Sequence, residues 1–349
     1  MGKIALLGLI ILNLGLFSGD LHAQRGTAAP SQQVITVTLF SPLPADTPWG
    51  RSLNEIAAAW ARVTNGEVIL RVQHGITQSE STMRLSLDSN TIQAAVFTSV
   101  GLSSIEPSIM TVSSPFLIRN EAELGVVMRE IQGDLEARVN SGDFFIIAWS
   151  QSGFVNIFSR EPVFTPDDLR RMRIASGEEM AEMNHVFRAM GFQVVEGDMA
   201  EIGLRLAQGQ VTAIYTNPAM IAAGRLHTPV QGNLRNMLST NIAPVLGGIV
   251  INQVTWRRIG ALNPRYQQDI VRVTREIAGR LDQSLPVTVN NTIGTLTREG
   301  LTVNRITPAQ EQLWYDEMTR ALSSLIGGSL DMNLYNRINA ILTRHRGSR

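Results

Sequence analysis

Cysteine is absent from the 349 residues. Thiolate zinc sites, iron–sulfur clusters, disulfides and a lipid carried on cysteine are therefore excluded. Lysine occurs once, at Lys3, so every other strong base is an arginine. A lysine Schiff base and a phosphate-loop lysine are unavailable to the folded protein. The five histidines, His22, His74, His185, His227 and His345, are scattered. Neither sign of charge is in excess: 30 basic residues balance 30 acidic ones. Net charge thus gives no reason to propose nucleic acid as a partner. No G-x-S-x-G nucleophile sequence and no dinucleotide-type glycine loop occurs. The reading is non-enzymatic, with no metal or cofactor.

What is present begins with a leader. Lys3 precedes an apolar stretch from Ile4 to Phe17, and Leu21-His22-Ala23 closes it with a small residue. The pattern predicts a secretory signal over residues 1–23, cleaved after Ala23. The stretch is short for a membrane anchor, which needs about 20 apolar residues. Residues 24–33, rich in Ala, Pro, Ser and Gln, read as a linker.

Beyond it, strand and helix patterns alternate. Val34–Phe40 predicts a strand. Thr47 is a helix cap with Pro48 at the first helical position. Strands are expected at Glu67–Gln73, Ile92–Phe97 and Phe144–Trp149. Helices are expected at Glu80–Asn90 and Glu121–Val139. The same grammar then repeats: strands at Met172–Ala175, Phe192–Val195 and Val211–Tyr215, with helices at Glu179–Met190 and Ala200–Gln208. Val245–Asn252 reads as a strand returning to the first lobe. Asn263-Pro264 and Thr307-Pro308 start two further helices, and Met332–Thr343 makes a last one. This order predicts an α/β protein of two lobes. Lobe I takes 34–152 and 240–280, lobe II takes 153–239 and 281–335, and 336–349 forms a C-terminal end. A cleft between lobes is the expected ligand site, able to close by a hinge.

Several segments, taken in order, resemble the DctP family, the periplasmic solute-binding components of tripartite ATP-independent periplasmic (TRAP) transporters. Ser114-Pro115-Phe116-Leu117 is similar to its proline–phenylalanine segment, and Trp149 with Gly153-Phe154 to its central strand. Pro162, Pro166, Asp168 and Leu169 fit P-x-x-x-P-x-D-L, continued by Met172, Arg173 and Ile174. Leu206, Gly209, Val211 and Asn217-Pro218 resemble the stretch that ends in N-P. The resemblance implies a periplasmic binding protein fold with an interlobe ligand cleft and long C-terminal helices. It also implies a periplasmic location, a small-molecule ligand and membrane permease subunits as partners. Some spirochaetal relatives are associated with a helical-repeat lipoprotein, a further expected partner.

The departures bear on the ligand. The arginine that clamps a substrate carboxylate in the family falls on Ala175, and a second family arginine falls on Val155. Tyr215 stands where a polar or acidic residue precedes the N-P pair. Alanine and valine cannot make the paired charge-assisted hydrogen bonds of a guanidinium. Arg173 lies two residues from Ala175 and on the same strand face. The aromatic residues Phe40, Trp49, Phe116, Trp149 and Phe154 are expected near the cleft, with Gln73, His74 and Asn217 orienting a ligand. The expected ligand is hydrophobic or weakly polar. The alternatives are a carboxylate receptor with a relocated arginine clamp, a scavenging or structural protein uncoupled from transport, and a secreted hydrolase.

Overall fold

The computed structural model describes residues 34–177, 180–197 and 201–347. The expected leader and linker lie outside the described residues, as do the expected helix starts at Glu179 and Ala200.

Strand β1 (Ile35–Phe40) leads through α1 (Pro48–Val63) to β2 (Val68–Gln73), then α2 (Glu80–Asp88) and β3 (Ala94–Thr98). The three strands are parallel in the order β2-β1-β3. Short helices α3 (Ser99–Ser103) and α4 (Ile109–Val112) precede the longer α5 (Glu121–Asn140). Strand β4 (Phe144–Ser159) follows. The second lobe holds α6 (Pro166–Arg170), β5 (Arg173–Gly177), α7 (Ala181–Ala189), β6 (Gln193–Gly197), α8 (Ile202–Ala207), β7 (Ala213–Thr216), α9 (Pro218–Ala223) and β8 (Asn236–Leu238). Strand β9 (Ala243–Asn252) returns to the first, followed by α10 (Gln253–Leu262) and α11 (Pro264–Arg298). The chain ends with β10 (Thr302–Asn304), α12 (Pro308–Leu322) and α13 (Met332–Gly347).

The strand order is β2-β1-β3-β9-β4-β7-β5-β6, with β8 on β4 and β10 on β8. β4 joins the two halves. Its first part pairs antiparallel with β9, and its last residues pair with β7 and β8. The sequence reading stops this strand at Trp149. Ser150, Gln151 and Ser152 interrupt the apolar run, but Gly153, at φ +81°, carries a bulge. Pairing with β9 then resumes at Phe154 opposite Pro244.

Each half of the sheet is covered on both faces. In lobe I, α1, α10 and α11 bury Leu39, Leu53, Trp60 and Ile270 on one side. On the other, α2, α5 and α13 bury Met83, Phe97, Ile131 and Ile338. In lobe II, one core gathers Phe187, Tyr215 and Trp314, and the opposite one Phe158, Leu206 and Leu296. Burying each such large side chain contributes on the order of 1.5–3 kcal/mol. Helix α11 is 35 residues long and runs past an internal proline, Pro286. Ile270 packs in the lobe I core and Leu296 in the lobe II core, so this helix bridges both. Pro286 offers no N–H to the Asp282 carbonyl four residues earlier, which marks the middle of the bridge.

The first turn of α1 is set by a close approach. The Thr47 hydroxyl accepts from Gly50 N at 3.0 Å. A Cβ on Gly50 would lie 2.1 Å from the Pro44 carbonyl oxygen. Gly50→Ala is expected to destabilise the protein by about 1–3 kcal/mol through this overlap. A urea midpoint equal to that of the parent would contradict it.

Candidate functional site

In parallel α/β sheets ligands gather beyond the carboxyl ends of the strands, where connections diverge. Here those ends are Phe40, Gln73 and Thr98 in lobe I and Gly177, Gly197 and Thr216 in lobe II. The crossing strand β4 runs between the two halves.

At the lobe I edge lies a cavity of about 70 Å³ with a mostly apolar lining. Leu43 from the β1–α1 loop, Trp49 from the first turn of α1 and Leu281 of α11 line it. Trp149, Ser150 and Gly247 close its base. Two of the twelve expected site residues, Trp49 and Trp149, are therefore brought together. Trp49 Nε1 makes only a long contact, 3.5 Å, to the Gln151 carbonyl. The Trp149 indole N–H is buried and has no partner among the described residues.

The other expected residues are placed as follows. Phe40 and Phe154 pack in the lobe I core. Phe116 and Val155 pack in the lobe II core that contains Trp314. Phe116, at φ +56°, meets Tyr315 edge-on with centroids 4.9 Å apart. Tyr215 is buried in the same core, edge-on to Phe187, and burial pushes its phenol up. Ala175 is enclosed by the opposite core. Gln73 is exposed at the end of β2, and His74 is fixed by the Leu43 carbonyl (3.3 Å) and Asn54 Oδ1 (2.9 Å). Asn217 caps α9, its Oδ1 accepting from Met220 N at 3.0 Å. Arg173 opens β5, at the end opposite Gly177, and is exposed with its guanidinium donating to the Gly209 carbonyl. The strand parity that aligns it with Ala175 does not bring it to the carboxyl end.

The sequence reading missed Asp282. Its Oδ1 accepts from Ser150 Oγ at 2.9 Å and from Gln151 N at 2.8 Å. No cation pairs with it among the described residues. Burial raises its carboxyl above the usual range, outweighing both hydrogen bonds, which lower it. The only local signal was Pro286, one helical turn further on.

A raised folded pKa means the folded state holds more protons than the unfolded one across that interval. Stability from this group is therefore greatest below the unfolded pKa and falls as pH rises through the folded one. Asp282→Asn keeps an acceptor for Ser150 and Gln151 without the charge. It is expected to raise the thermal midpoint at about pH 7.5 and to leave it nearly unchanged at about pH 3. An equal shift at both pH values would show that charge burial is not the cause.

Fold and site together define a two-lobed solute-binding protein. The model of the DctP family, bacterial extracellular solute-binding protein family 7, matches residues 41–326, and the chain belongs to that family. A comparison with curated proteins found no match. Among solved structures, a TRAP periplasmic solute-binding protein from Ralstonia eutropha H16 with bound (S)-2-acetolactate is 16% identical. It covers 88% of this chain and 99% of its own, with a TM-score of 0.79. One from Pseudomonas putida F1 with bound D-glucuronate is 18% identical, covering 88% and 97% at TM-score 0.77. One from Shewanella oneidensis with bound succinate is 14% identical, covering 88% and 99% at TM-score 0.78. These likenesses establish the two-lobed α/β fold expected from the sequence.

Proposed function

We propose that this protein is the extracytoplasmic receptor of a TRAP-type transporter and that its ligand is a small organic acid. It is exported by the leader at residues 1–23, closes around its ligand and presents it to membrane permease subunits. A helical-repeat lipoprotein is not required by this reading. The observation that carries the ligand class is the chemistry shared by acetolactate, glucuronate and succinate in the three similar structures: each bears a carboxylate. In this chain the donors facing such a group at the lobe I edge are neutral. They include the Ser52 and Ser152 hydroxyls and the weakly engaged Trp49 indole N–H. Neutral hydrogen bonds are about half as strong as charge-assisted ones. Binding is therefore expected to depend less on salt than binding to an arginine clamp does.

A second reading, a hydrophobic or weakly polar ligand, is favoured by one observation. The cavity at the lobe I edge has a largely apolar lining, which suits the sequence reading of Val155 and Ala175 at the family's arginine positions. Calorimetry decides between them. Titration with acetolactate, glucuronate and succinate, each beside its neutral methyl ester, is expected to give heat with at least one acid and none with its ester. Binding of esters as tight as that of the acids would replace the organic-acid reading with the second.

A further inference from the structure

Granted the organic-acid reading above, we infer that the lobe I cavity is a subsite for a short branched-alkyl group on the acid, and that Asp282 excludes a second carboxylate. The ligand class is then an apolar-substituted monocarboxylic acid rather than a dicarboxylate or a sugar acid.

The geometry of the edge carries this. The cavity is lined by Pro42 and Leu43 just past the end of β1, by Thr98 at the end of β3 and by Ser150 and Ser152 where β4 crosses between lobes, the place where the cleft is expected. Small residues make its room: Ala148 and Gly247 at the base and Ser52 in the wall formed by α1. Leu43, Trp49 and Leu281 supply an apolar surround. Moving alkyl surface from water into such a site is favourable, roughly 25 cal/mol for each Å² buried. A hydroxyl-rich sugar ring would instead leave several polar groups without partners there.

Asp282 sits one residue from Leu281 and is bonded to Ser150, and both of those neighbours line the cavity. It has two donors on Oδ1 and no cation among the described residues. A second carboxylate directed into this end would place like charges together in a poorly hydrated site. Building the repulsive element beside the attractive one is how a site separates ligands of similar size.

Calorimetry on the leaderless protein (residues 24–349) tests it with 3-methyl-2-oxobutanoate and succinate as probes. The branched acid is expected to bind at least about tenfold tighter than succinate, as one or two buried methyl groups allow. Ser52→Leu, on the half-exposed side of α1, fills the cavity. It is expected to weaken the branched acid by about tenfold while leaving the thermal midpoint nearly unchanged. Asp282→Asn is expected to strengthen succinate by about fivefold or more, by removing the like charge. Succinate binding tighter than the branched acid, with Ser52→Leu silent, would overturn the subsite and leave the organic-acid reading standing. Succinate affinity unmoved by Asp282→Asn would overturn the exclusion role. Binding of the branched acid's methyl ester as tightly as the acid itself would defeat the organic-acid reading instead.

Discussion

Trp314→Ala is expected to cost about 3–5 kcal/mol of stability, the range for deleting a large aromatic side chain from a packed core. The indole is fully buried, donates from Nε1 to the Phe164 carbonyl at 3.1 Å, and lies between Phe116 and Phe192. No small rearrangement refills that volume, because its two ring neighbours are held by separate segments. Phe116 comes from the loop before α5, Phe192 leads into β6 and Trp314 belongs to α12. The urea midpoint should fall while the slope of the transition stays the same. A loss under about 1 kcal/mol would mean that the aromatic group is not the centre of lobe II. Phe116 precedes the lobe I helix α5 in the chain yet packs in the lobe II core. The same variant should therefore weaken ligand binding as well, by loosening one contact between the lobes.

Arg346→Ala is the second large effect. Glu123 is buried beneath the C-terminal helix α13, with Arg346 Nε 2.9 Å from Oε1 and Nη2 2.8 Å from Oε2. Arg346 Nη2 also donates to the Leu117 carbonyl at 3.0 Å, and Arg119 N donates to Glu123 at 2.9 Å. Burial by itself raises the Glu123 carboxyl. The Arg346 guanidinium and the Arg119 N–H more than offset this and hold it below the usual range. Removing the guanidinium leaves a buried carboxylate with one backbone donor. Breaking a fully enclosed pair costs about 3–5 kcal/mol. Arg346 is one-third exposed, so solvent screening reduces the expected loss to about 2–3 kcal/mol. A depressed folded pKa gives stability that is present above the unfolded value and lost as pH falls through the folded one. The difference between parent and variant should therefore be full at about pH 7 and shrink toward about pH 3. Adding Glu123→Gln to Arg346→Ala should recover part of the loss, and no recovery would argue against a buried-charge origin.

The parts of the fold that were legible in the sequence are those with a local cause. Thr47-Pro48, Asn263-Pro264 and Thr307-Pro308 each start a helix at the expected residue, because a capping side chain and a fixed φ act within one turn. The parallel strands announced themselves as short apolar runs between helices. Illegible were β8 and β10, three residues each, whose pairing depends on residues more than sixty positions apart. The passage of β4 through three polar residues was likewise invisible, since it rests on the bulge at Gly153 and on β9.

The site divides in the same way. Position matching assigns Val155 and Ala175 to the family's arginine positions; Ala175 is buried in one lobe II core and Val155 packs, partly buried, against the other. It could not separate cleft aromatics from core aromatics. Trp49 and Phe116 both lie near loop ends, yet one lines the cavity and the other fills lobe II. Asp282 stood in an unremarkable helical stretch. Only the arrival of Ser150 and Gln151 from a strand more than 130 residues earlier gives it a role.

Helix α13 places Leu334, Ile338, Ile341 and Leu342 in the same core as Met83, Phe97 and Ile131. During synthesis from the N-terminus, the first lobe to begin is thus the last to be completed. Its opening strands wait for β9 and then for the final sixteen-residue helix before their core is sealed. Lobe II, whose sheet lies wholly inside that interval, can begin to assemble earlier. Such long-range closure slows folding, because the intervening chain must be ordered before the contacts that reward it form. A chain of this order keeps its first core open to holding factors until α13 has been made.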